Sequence, residues 1–316
     1  MMNIEPYIIE ILDIVVLLFL SPLFMGWIRT LKCWLQSRTS PGLFQPYRDI
    51  LKLFSKEIIL AENASWIFRF APYLIFGVTL LIGGIVPILS VNVPLSATAD
   101  VIVLVALFGL SRFFTALAGL DIGTAFGGMG SSREMLIASL AEPGMLMTIF
   151  VASLVNHSTS LSQIVQTMIQ EGLVLRPSLA FAFLSFTMIT LAETGRVPVD
   201  NPVTHLELTM IHEGMILEYS GRYLALIEWA GMMKFLLFVT IGITIFFPWG
   251  IAFDGGIYSI AESLILLILK LLVVGAGIVF IEIGLAKMRI FRVPEYLGTS
   301  FLFATLGMLS YFILGL

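Results

Sequence analysis

Residues 192–222 read AETGRVPVDNPVTHLELTMIHEGMILEYSGR. This stretch carries five carboxylates (Glu193, Asp200, Glu207, Glu213, Glu218), two histidines (His205, His212) and two arginines (Arg196, Arg222). A metal site needs several ligands converging on one point. His205 and His212 are seven residues apart and no HExxH pattern is present, so neither a metal site nor a catalytic residue is expected in this chain. Acid–base catalysis on a soluble substrate needs a pocket, and no motif marks one. A proton path needs titratable groups within reach of water, spread over several helices in a membrane. Carboxylates that are desolvated or crowded by other carboxylates exchange protons near neutral pH. One alternative stays open: the acids pair with Arg196, Arg222, Lys234 or backbone donors and only hold the fold.

The surrounding chain sets the medium. It is 59% hydrophobic and 12% charged, with a mean hydropathy of +1.02. A soluble domain carries about a quarter charged residues. The expectation is an all-α polytopic membrane protein, one membrane domain over residues 1–316. Eight apolar segments lie near 8–28, 69–91, 101–120, 134–156, 177–193, 226–249, 260–284 and 297–316. Each approaches the roughly 20 residues that cross a bilayer core of about 30 Å, and the fifth is the shortest.

Charge placement orients these segments. Glu5, Glu10 and Asp13 flank or enter the first segment, and Arg29 and Lys32 follow it, the reverse of a secretory signal. Basic residues mark the cytoplasmic side. Of 17 Lys and Arg, 13 lie in the odd-numbered loops or their flanks; Arg176 lies in an even one, and Arg112, Lys234 and Lys270 lie within segments. Both termini are therefore expected outside, and residues 192–222 on the cytoplasmic side of a cell (inner) membrane. The single Cys33 excludes an iron–sulfur cluster or structural zinc held by this chain alone, because such sites need about four ligands.

The elements must position the acids. An Asp, Lys or Arg at the centre of a membrane helix costs about 3 kcal/mol, so it usually faces protein or a wet cavity. Glu134 and Glu142 are eight residues apart, about 80° around a helix, and can line one side of the fourth segment. Glu228 and Lys234 lie in the sixth segment, Lys270 is central in the seventh, and Glu282 lies near its cytoplasmic end. Pro198 and Pro202 break the chain after the fifth segment, and a helix is expected from about Val203 onward. On that helix Glu207 and Glu218 share a face, roughly 16 Å apart. Loop 29–68 contains Pro41-Gly42, a turn signal. After Pro46 comes a basic amphipathic pattern, with Ile50, Leu51, Leu53 and Phe54 beside Arg48, Lys52 and Lys56. It suits anionic lipid or a soluble partner. The glycines of LAGLDIGTAFGGMGSSREM, flanked by Asp121, Arg133 and Glu134, suit a tight connection supporting a cavity or partner.

AETGRVPVDNP, LEYSG (217–221), Glu228-Trp229 and QPYRDILKL (45–53) resemble the motifs of the H-type membrane component of respiratory complex I. GLDIGTAFGGMGSSREM (119–135), AEPGM (141–145) and THLELTMIHEGMILEYSGR (204–222) are similar to the membrane-anchor subunit of group-four [NiFe] hydrogenases, relatives of formate hydrogenlyase subunit 4. The resemblance implies a non-redox subunit of an oxidoreductase complex. A hydrogenase-like large subunit and an iron–sulfur small subunit would dock on its cytoplasmic loops and carry the [NiFe] centre and the clusters. Antiporter-like membrane subunits would sit beside it, and no nucleic acid is implied. Glu134, Glu142, Glu193, Asp200, Glu207, Glu213, Glu218, Glu228, Lys234 and Lys270 would form a proton path. Arg38, Gln45, Arg48, Asp49, Lys52, Asp121, Arg133, Arg196 and Arg222 would meet the peripheral arm. The competing assignments are an H-type membrane component of an NADH- or ferredoxin-quinone oxidoreductase, and a free-standing ion transporter.

Overall fold

A computed structural model describes residues 5–91, 93–95, 100–171, 176–200, 210–252 and 256–314. Every regular element among them is helical: α1 Glu5–Leu35, α2 Gln45–Phe54, α3 Trp66–Ile85, α4 Val101–Asp121, α5 Ala125–Asn156, α6 Leu161–Glu171, α7 Pro177–Glu193, α8 His212–Ile216, α9 Gly221–Phe246, α10 Ile257–Gly284 and α11 Val293–Leu314. Seven of these are long and apolar enough to cross a membrane: α1, α3, α4, α5, α9, α10 and α11. The fifth expected segment is α7, a helix of 17 residues. At 1.5 Å per residue it is about 25 Å long, short of the bilayer core. Seven candidate spans therefore stand where the sequence predicts eight.

The helices stack around α9. Some 72% of its apolar window is buried, against 28% for α10 and 22% for α11. It packs against α1, α2, α3 and α7, while α11 closes the other side on α5 and α7. Phe24 and Phe235 stack at 5.3 Å, and Phe108 lies 4.6 Å from Phe238, so aromatic pairs fill the space between α1, α4 and α9. The outer faces of α10 and α11 carry bare apolar side chains such as Ile265, Val273 and Phe312. Water would not stabilise such a surface, but lipid would.

Two connections differ from the sequence expectation. The glycine-rich stretch 119–135 is mostly helix. Only residues 122–124 link α4 to α5, and Thr124 caps α5 by accepting from the Gly127 N–H. The glycines bring backbones together instead of making a loop. A Cβ on Gly127 would lie 2.2 Å from the Gly119 carbonyl oxygen, and one on Gly130 would lie 2.8 Å from that of Ile211. The helix expected from Val203 onward is not continuous over its described part, residues 210–222. Among the described residues it is the short α8, and Glu218 lies past its end, exposed, before α9 begins. His205 and Glu207, and with them the face expected to be shared with Glu218, lie outside the described residues. The turn at Ser220-Gly221 explains the break. Gly221 has φ +54° and passes within 2.7 Å, measured from an added Cβ, of the Glu57 carbonyl oxygen, while the Ser220 hydroxyl bonds both backbone groups of Ile59. Loop 29–68 is thereby pinned to the start of α9.

Candidate functional site

Glu193 is the last residue of α7, and its side chain is only 2% exposed. A buried carboxylate at a helix C-terminus faces the negative end of the helix dipole and needs a cation. Two reach it. Arg112, from α4, donates a short contact from Nη2, and the Lys234 ammonium, from α9, lies 3.4 Å away. Arg112 also gathers the acids of α5: Glu134 at 3.2 Å and Glu142 at 3.7 Å. Glu142 is 41% exposed and so contributes least. Three carboxylates and two cations from four helices thus share one cluster. The Nε and Nη1 atoms of Arg112 are buried and form no hydrogen bond of good geometry. Arg112 borders a cavity of about 130 Å³ also lined by Glu134, Glu193, Asp200, His212, Glu213 and Lys234. That space has room for several water molecules among polar partners.

A second set of contacts holds the segment leaving α7. Arg196 donates to Glu282 Oε1 at 2.6 Å, and Lys32 donates to Oε2 of the same carboxylate at 2.7 Å. The Arg196 guanidinium lies 3.7 Å from the centroid of the Phe235 ring. Burial pulls this guanidinium below its ordinary pKa, and the Glu282 carboxylate opposes the shift. Asp200 accepts from Lys287 at 2.7 Å, and the Met288 N–H donates to the Pro198 carbonyl at 2.8 Å. Residues 194–200 are therefore tied to α1, to the end of α10 and to the linker before α11.

The sequence-predicted residues separate into groups. Glu134, Glu142, Glu193 and Lys234 share the ion cluster, and Asp200 and Glu213 join them along the cavity. Glu228 lies in the electrostatic reach of His212, Glu213, Arg29 and Asp49. Glu218 is exposed, and Glu207 lies outside the described residues. Lys270 stands apart. It donates to the Phe247 and Trp249 carbonyls, beyond the far end of α9. Of the residues expected to meet a partner, Arg38, Arg48, Lys52 and Arg222 are exposed. Asp121 accepts from the Ser65 N–H and hydroxyl at 2.8 and 2.6 Å and so anchors α3. Asp49 pairs with Gln45 and Arg29, Arg133 donates to the Met210 carbonyl, and Arg196 is buried within the bundle. Arg112, Lys32, Glu282 and Lys287 were not assigned to either set from sequence. The signal for Arg112 was present: a cation inside an apolar segment must have acids around it.

This architecture can be compared with known proteins. The family model described as NADH dehydrogenase matches residues 9–313. The chain belongs to that family. It is 33% identical to formate hydrogenlyase subunit 4 of Escherichia coli (strain K12), covering 95% of this chain and 97% of that one. It is 31% identical to hydrogenase-4 component C of the same organism, covering 93% and 92%. In fold it is similar to a chain of the membrane-bound sulfane sulfur reductase, an archaeal respiratory membrane complex. The TM-score is 0.83 over 96% of this chain and 99% of that one, at 20% identity. Among the described residues no group of three His, Cys, Asp or Glu side chains could hold a metal ion.

Proposed function

We propose that this chain is the membrane-anchor and proton-coupling subunit of a membrane-bound [NiFe] hydrogenase or formate hydrogenlyase-like complex. One membrane domain, residues 1–316, sits in the cell inner membrane with both termini outside. The observation that carries this reading is the ion cluster around Arg112 beside a polar cavity. A soluble hydrogenase-like large subunit and an iron–sulfur small subunit dock over that cavity, on the exposed Arg38, Arg48, Lys52 and Arg222. Any redox metal resides in those partners, and antiporter-like membrane subunits lie alongside. Turnover in the arm changes the charge or position of residues 194–200. Glu193, Glu134 and Lys234 then redistribute protons through water in the cavity, because each ion pair shifts the balance of its neighbours. Glu142, Asp200, Glu213 and Glu228 extend the same path. Glu207 and Glu218 would lie at its entrance.

The native complex, purified through a tag on this chain, tests the reading. Nickel together with iron in the complex, and hydrogen-linked turnover, is the expected result. Iron without nickel would assign the chain to a quinone- or ferredoxin-linked oxidoreductase of the complex I type. Loss of all partners, with ion transport by the chain alone in liposomes, would overturn both.

A further inference from the structure

Asp13 lies in α1 with no exposed surface, and neither carboxylate oxygen makes a hydrogen bond of good geometry. The backbone at Ile88 and Leu89 faces it without closing good hydrogen bonds, and the charge acting on it among the described residues is another acid, Glu10. No cation pairs with it there. Burying an ionised carboxylate there without a counter-charge is strongly unfavourable. Its location is distant from the Arg196–Glu282 contacts. Lys32, which reaches Glu282 beside Arg196, is 19 residues further along the same helix, about 28 Å. Asp13 instead abuts the segment after α3, where Leu89 and Val91 pair with Ala252 beyond α9. Ile88 also lines a second, small cavity with Ser263, Thr244 and Lys270. The Ser263 hydroxyl there is buried and without a hydrogen bond.

We propose that Asp13 is a proton-binding group that rests as the neutral carboxylic acid and exchanges its proton at the end of the bundle opposite the Lys32–Glu282–Arg196 contacts. The Asp13 O–H bond breaks as its proton passes to a water molecule beside Glu10, leaving the carboxylate and hydronium; the O–H re-forms when a hydronium ion arriving through the bundle interior gives up its proton and is left as water. Its role in coupling rests on the function proposed above; its resting protonation does not. The test uses the full complex in liposomes, as wild type and Asp13→Asn. At neutral pH, the infrared difference between the two should contain the C=O stretch of a protonated acid that shifts in D2O. The Asn variant, which copies the shape of the neutral acid, should assemble normally but lose several-fold in protons moved per turnover. A carboxylate stretch in place of the acid stretch overturns the proposal, whatever the transport result. An acid stretch that does not shift in D2O, or undiminished proton movement in Asp13→Asn, overturns the exchange. A complex that moves no protons even as wild type would sink the coupling function while the infrared result still decides the state of Asp13. Should Asp13→Asn fail to assemble, Asp13→Glu must retain the acid stretch, and a carboxylate there would refute the proposal.

Discussion

Arg112 is the residue on which the most partners converge, and its removal separates structure from function. Arg112→Leu leaves Glu193 buried beside Lys234 alone, and Glu134 without its close cation. Breaking a buried pair in this way typically costs about 3–5 kcal/mol. Thermal denaturation in detergent should register a loss of that size, and adding Glu193→Leu should recover part of it. A double variant no better than the single would mean that the two side chains are energetically independent. Glu193→Gln is the milder change. It keeps the shape and the hydrogen bonding but withdraws a proton-carrying group. Assembly should persist while coupled turnover falls. The exposed Glu218→Gln should lower it less, because that side chain is accessible to water without the cavity. Full activity in both variants would make the acids scaffolding.

The glycines of α5 make their own case at the level of elements. Gly127→Ala puts a methyl into the Gly119 carbonyl of α4, a clash of backbone against side chain that no rotamer relieves. A cost of about 1–3 kcal/mol is expected in the same denaturation experiment. Gly128→Ala, one residue along, meets open space and should be tolerated or slightly stabilising. Equal losses in the two would argue against close α4–α5 contact. These glycines also mark where sequence reading stopped. Long apolar runs located α4, α10 and α11 to within about four residues and α1, α3 and α9 to within about seven, because lipid imposes length and composition on a span. The cluster GTAFGGMG read as a connection, since glycine is a poor helix former. Tertiary contact with α8 overrode that propensity. Pairing was less legible than placement. Glu134, Glu142 and Glu193 were visible as acids in apolar surroundings and Arg112 as a cation within an apolar segment, but nothing local indicates which of them it joins. Asp121 read as a partner contact because its role, anchoring Ser65, joins residues 56 positions apart.

For the whole molecule, sidedness is the property that the proposed function requires, and the single thiol reports it. Cys33 is partly exposed at the end of α1 that bears Lys32. A membrane-impermeant maleimide should label it in inside-out vesicles and leave it unmodified in right-side-out cells. The reverse pattern would invert the bundle and place the Arg112 cavity on the outer face, where a cytoplasmic redox arm has no access.

The ties on residues 194–200 have a mechanical meaning. Arg196 grips α10 through Glu282, and Asp200 and Pro198 grip the linker to α11 through Lys287 and Met288. Only 28% of the apolar window of α10 is buried within the bundle. Under the function proposed above, the segment would serve as a crank, fixed at one end to the charge cluster and at the other to α10. A chemical change above the cavity would leave the molecule sideways, as a tilt of α10 against whatever protein lies next to it.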